Sequence, residues 1–155
     1  MSFKSQFKMP IHKDDLMPVI STGFFTALTG GIIIGAIHLL LSLYSPISLN
    51  WILLFIASSM MAKRIRQSYQ TYHILYAMIG IFFYILTYYI MNITSYMGFY
   101  FIRGISELAL FQYLSNPLIY FQFLNPFTGY FLTVENLITL IFFFIGAVYT
   151  YRYIK

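Results

Sequence analysis

Apolar residues run almost without interruption from Leu16 to Leu43, where Tyr44-Ser45-Pro46 closes the stretch. As a helix these about 28 residues reach ~42 Å at 1.5 Å per residue. That exceeds the ~30 Å hydrocarbon core of a bilayer, so the segment should tilt or project from it. A second apolar run begins near Ser48 and ends at Ala62. It becomes long enough to cross if it continues through Lys63, Arg64 and Arg66, whose stems can snorkel to the headgroups. A third run covers 74–91 and ends near Asn92, and a last one covers 134–151. The pattern predicts spanning helices at 16–43, 48–66, 74–91 and 134–151. Asp14 or Asp15 is the expected cap of the first helix, with Pro18 in its first turn, and Thr133 the expected cap of the last.

Residues 93–133 are apolar and aromatic but interrupted. Tyr96 to Leu114 would form a helix carrying Arg103 and Glu107, after which Asn116-Pro117 and Asn125-Pro126 each break the chain. The segment is read as interfacial or re-entrant, on the outer face, followed by a second short helix. The predicted fold class is therefore all-α: a polytopic membrane protein with four transmembrane helices and an interfacial or re-entrant helical segment between the third and the fourth. A five-span alternative makes Tyr96–Leu114 a true crossing, at the cost of Arg103 and Glu107 near mid-membrane.

Composition removes the soluble alternative. Of 155 residues 60% are apolar and 8% charged, against roughly 25% charged in a globular domain. The chain has no cysteine, which excludes disulfides, thiolate metal sites and thiol nucleophiles. The net charge is +5, but the cations gather at predicted membrane edges instead of forming a basic face, so no nucleic-acid partner is expected. Lys4, Lys8 and Lys13 precede an apolar run far longer than a signal-peptide core, and an uncleaved signal-anchor is expected. Under four spans, Lys4, Lys8, Lys13, Lys63, Arg64, Arg66, Arg152 and Lys155 share one side and Arg103 alone lies on the other. That asymmetry predicts both termini in the cytoplasm.

Candidate chemistry is sparse. Gly23, Ala27, Gly31 and Gly35 recur every four residues, a stripe for close helix packing on a neighbouring span or on a second copy. His38 projects from the same side of that helix as Gly31. His38, Arg103, Glu107 and Glu135 are the candidate intramembrane polar site. Arg103 and Glu107, four apart, could pair on one helix face, and Glu135 suits the first turn of the last helix. Lys63, Arg64 and Arg66 form a membrane-surface basic group attracted to anionic headgroups. His12, Asp14 and Asp15 match no metal spacing, and neither a metal nor a cofactor is expected. Asn92-Ile93-Thr94 fits the glycosylation pattern.

The pattern is similar to that of many small multi-span bacterial membrane proteins, with a Gly-rich first span, a basic loop and an aromatic outer segment. It implies a cell-membrane location and no chemistry. The expected function is a non-enzymatic accessory, assembly or oligomeric membrane component, with the bilayer and a membrane-protein partner or second copy as its contacts. The alternative is a small transporter or channel lined by His38 and Glu135.

Overall fold

A computed structural model describes residues 11–44, 49–105, 114–129 and 131–155. It is all-helical. In chain order come α1 (Lys13–Tyr44), α2 (Asn50–Arg66), α3 (Ile74–Ile102), the short α4 (Pro117–Tyr120), a 3₁₀ turn at Gln122–Leu124 and α5 (Val134–Ile154). Three of these, α1, α3 and α5, are long and apolar enough to cross a membrane. The 17 residues of α2 reach only ~26 Å at 1.5 Å per residue.

The distribution of side chains is the reverse of a soluble bundle. Phe24, Phe25, Leu28, Ile32, Ile33 and Leu40 of α1 are exposed, and so are Ile141, Phe144, Ile145 and Val148 of α5. The buried positions of α1 are mostly small: Gly23, Thr26, Ala27, Gly30, Gly31 and Gly35. Ser58, Thr87 and Thr150 are wholly buried. Each of these hydroxyls is satisfied within its own helix, donating to the carbonyl of Phe55, Phe83 or Gly146 respectively. Large apolar groups outside and small or locally satisfied polar groups inside is the arrangement a lipid solvent favours.

The long helices pair in parallel, α1 with α3 and α2 with α5. A Cβ placed on Gly31 would stand 2.7 Å from Cβ of Ile90, and one on Gly35 would stand 2.5 Å from the carbonyl oxygen of Met91. The glycine stripe thus lies against α3, residue number rising together along both helices. In the second pair, Trp51 meets Phe142 with ring centroids 5.2 Å apart, Phe55 meets Tyr149 at 5.5 Å, and Thr150 Oγ1 lies 3.5 Å from the Ser58 carbonyl. A short connection suggests an antiparallel neighbour, but the closest approach goes to the helix whose surface fits.

One end of the bundle is tied together by hydrogen bonds. The Asp15 carboxylate accepts the backbone N–H groups of Gln70 and Thr71, each at 3.2 Å. The Tyr69 hydroxyl donates to the carbonyl of Ile154, and the Tyr76 hydroxyl to that of His12 at 3.2 Å. The start of α1, the loop 67–73 and the end of α5 therefore share one end. His73 caps α3, its Nδ1 accepting from Leu75 N–H at 3.1 Å.

Several boundaries differ from the sequence reading. The helix α1 begins at Lys13, so Asp14 and Asp15 lie in its first turn and Pro18 lies inside it. Neither aspartate is the cap, and Asp15 is engaged by the loop instead. The third helix does not stop near Asn92 but runs to Ile102. Asn92 Nδ2 donates to the Tyr88 carbonyl four residues back, at 2.8 Å, so its polar group is satisfied without leaving the helix. The stop is Gly104, at φ 75°, a left-handed conformation that only glycine adopts without strain. Of the predicted Tyr96–Leu114 helix, Tyr96–Ile102 belongs to α3 and the chain turns at Gly104, while residues 106–113 lie outside the described ones. Both Asn-Pro pairs do start turns: Asn116 Oδ1 accepts from Leu118 N–H and Asn125 Oδ1 from Phe127 N–H, each at 3.0 Å.

Candidate functional site

At the end opposite the start of α1 and the end of α5, α2, α3, the segment 114–124 and the start of α5 surround a cavity of about 450 Å³. Helix-capping chemistry fixes its position. The Thr133 hydroxyl accepts from Asn136 N–H at 3.4 Å, which begins α5 at this level. Asn136 Nδ2 then reaches the carbonyls of Phe131 (2.9 Å) and Phe123 (3.3 Å), holding the loop against the helix. From the other side, the Tyr89 hydroxyl donates to the Ser115 carbonyl and the Tyr120 hydroxyl to that of Leu114, both at 2.5 Å. Asn136 from α5 and Tyr89 from α3 pin the 114–124 segment over the helix ends, and Tyr120 ties the segment to itself.

The walls are polar. Asn50, Asn92 and Asn136 contribute amides, and Tyr88, Tyr96 and Tyr100 follow one another along α3. Glu135 stands on the rim, exposed, and is the one charged group among the described lining residues. The side-chain oxygen of Asn50 is buried and makes no hydrogen bond. Such an acceptor carries a desolvation cost of ~1–3 kcal/mol until a donor reaches it. Beneath the polar walls lies an aromatic floor: Tyr88 lies 5.7 Å from Phe123 and 5.4 Å from Phe143, ring centroid to centroid, and Phe123 lies 5.2 Å from Phe143.

The sequence candidates divide among separate places. Of the three described polar candidates, His38, Arg103 and Glu135, only Glu135 lines this cavity. His38 is half-buried in a smaller cavity of about 190 Å³ with Ser42, Ser95 and Phe99. Its Nδ1 lies 2.9 Å from the Ser95 hydroxyl. Tyr96 forms part of both walls. Arg103 follows the last turn of α3, its guanidinium 4.2 Å from the centroid of Phe99. Arg103 lies just beyond the end of α3; Glu107, its expected partner, lies outside the described residues, and so does the pairing with it. Gly23, Ala27, Gly31 and Gly35 are all buried in α1. Lys63 and Arg64 are exposed in the last turn of α2, and Arg66 sits 5.0 Å over the Tyr69 ring. Asn92 is 5% exposed and helical, so the Asn-Ile-Thr pattern presents no accessible acceptor.

Sequence reasoning passed over Asn50 and Asn136 and read Asn92 only as a helix end and a glycosylation pattern. One signal could have joined them: Asn50 and Asn136 lie near the starts of their apolar runs and Asn92 just past the end of its own, so alternating helices bring three amides to one level. Among the described residues no group of three or more His, Cys, Asp or Glu side chains could hold a metal. The cavity offers hydrogen bonds, π faces and one carboxylate, which is the equipment of recognition. Comparison of the chain with protein families, characterised proteins and solved structures returned no match.

Proposed function

We propose that the protein is a four-crossing membrane protein with both termini in the cytoplasm. We further propose that it acts without catalysis, as an accessory component whose outer cavity binds a small cationic hydrogen-bond donor. The observation that carries the binding role is the cavity itself, with the Glu135 carboxylate and the orphaned Asn50 oxygen as acceptors beside Tyr88, Tyr96 and Tyr100. Ammonium groups favour carboxylates and aromatic faces together. The aromatic floor favours holding a ligand over conducting it.

Two features support the four crossings. The start of α1, the 67–73 loop and the end of α5 share one end, which favours an even number of crossings. In α2, Trp51 and the Arg64–Arg66 group stand at opposite ends, a pairing that lets a short helix reach both interfaces. The cytoplasmic assignment rests on the eight-to-one charge asymmetry. The outer segment then covers the cavity from the interface.

Binding is tested by thermal unfolding of the purified full chain in mild detergent, with ethanolamine or choline added and glycerol as the uncharged control. The amines should raise the melting temperature in a concentration-dependent way, as ligands of the native state do. Glu135→Gln should fold normally and lose the shift. A wild-type protein that ignores both amines, or a shift that survives Glu135→Gln, overturns the reading.

A further inference from the structure

A second concavity lies between α1 and α2, nearer the end where α1 begins, with a volume of about 470 Å³. Its floor is Thr22, Thr26 and Gly30, spaced by four along α1. The flank beside them carries Ser21 and Thr29 with the exposed rings and chains of Phe25 (63% exposed) and Ile33 (60% exposed). Opposite, α2 supplies Met60 and, one turn nearer the tied end, Arg64. The terminal methyl of Met60 fills the space above Gly30, which closes the furrow at depth.

Arg64 stands at one end of the furrow, and from there hydroxyls and apolar side chains interleave as far as Ile33. Two of the four hydroxyls are satisfied without a ligand: Ser21 donates to the Pro18 carbonyl at 3.2 Å and Thr29 to that of Phe25 at 2.6 Å. Arg64 is different from its neighbours in the basic group. Arg66 rests over Tyr69, whereas Arg64 borders the furrow, which has no carboxylate among its described lining residues. We infer that this furrow binds one anionic phospholipid, its phosphate at Arg64 and one acyl chain along Phe25, Ile33 and Met60. Taking that lipid from the cytoplasmic leaflet rests on the orientation proposed above. A partner helix is a poorer occupant, because seating it would bury the Arg64 charge without a counter-ion.

The probe is phosphatidylglycerol, compared with phosphatidylcholine of the same acyl chains. Each is added to the purified full-length protein in mild detergent, and retained lipid is read by native mass spectrometry. One surface cation contributes ~1 kcal/mol toward an anionic headgroup, about fivefold in affinity. Wild type should therefore retain phosphatidylglycerol about fivefold better than phosphatidylcholine. Arg64→Gln should remove that preference, Arg64→Lys should keep most of it, and Arg66→Gln should leave it unchanged. Monodispersity of each variant establishes that it folds. Equal losses in Arg64→Gln and Arg66→Gln would mean diffuse attraction and overturn the site. So would a stable homodimer that phosphatidylglycerol does not displace and that Arg64→Gln abolishes.

Discussion

A methyl group added at Gly35 would stand 2.5 Å from the carbonyl oxygen of Met91 and 2.8 Å from Cβ of Thr94. Neither neighbour is the free end of a flexible chain, so α1 and α3 would have to separate. At Gly30 the obstacle is the end of the Met60 side chain, its terminal methyl and, at 3.1 Å, its sulfur, which can rotate away. Alanine gains ~0.5–1 kcal/mol over glycine in a helix interior, while overpacking a core costs ~1–3 kcal/mol. The second effect should win at Gly35 and lose at Gly30. Gly35→Ala is expected to destabilise by ~1–2 kcal/mol, and Gly30→Ala to be neutral or slightly stabilising. Melting temperatures of both variants in one detergent decide this, and a Gly35→Ala protein as stable as wild type would refute it. The four-residue spacing marks this surface in the sequence, but it cannot say which helix lies on it. That depends on Ile90, Met91 and Thr94, which carry no pattern of their own.

At the scale of elements, the existence of the long helices follows from apolar run length alone. The length of α3 does not. Asn92 looks like an end because an amide in lipid needs a partner, and the partner proved to be the carbonyl of Tyr88, inside the helix. The cavity was equally hard to read, since its amides come from positions 50, 92 and 136 and meet only through the fold. The 67–73 loop carries a pH dependence. Burial pushes the Tyr72 phenol up to about 12. It also raises that of Tyr69, an effect the nearby Arg66 charge partly opposes. An unfolded tyrosine titrates near 10. Between about pH 10 and about 12 the folded loop keeps a proton that the unfolded chain has lost, so stability falls as pH rises through that window. Below about pH 10 these groups contribute no pH dependence. Tyr72→Phe should flatten the alkaline decline in melting temperature; an unchanged slope would assign it to other groups.

The whole molecule has an inside-out surface and a tied end, and its orientation can be tested directly because the chain lacks cysteine. Single cysteines at Ser45, Gln67, Ser115 and Tyr153 can be probed with an impermeant thiol reagent on intact cells. Labelling is expected at Ser45 and Ser115 only. Reaction at Tyr153 would place the C-terminus outside and contradict an even number of crossings.

The parallel pairing also bears on how the protein is made. A chain emerges from its N-terminus, so α1 and α2 are complete before the helices they pack against most closely. The glycine surface of α1 waits for α3. The shortest of the long helices, α2, waits longer, because Phe142, Tyr149 and Thr150 all lie on α5. Until then α2, with three cations at its end, lacks the helix it packs against most closely. The Tyr69–Ile154 hydrogen bond, which ties the loop after α2 to the end of α5, forms only once α5 has been made.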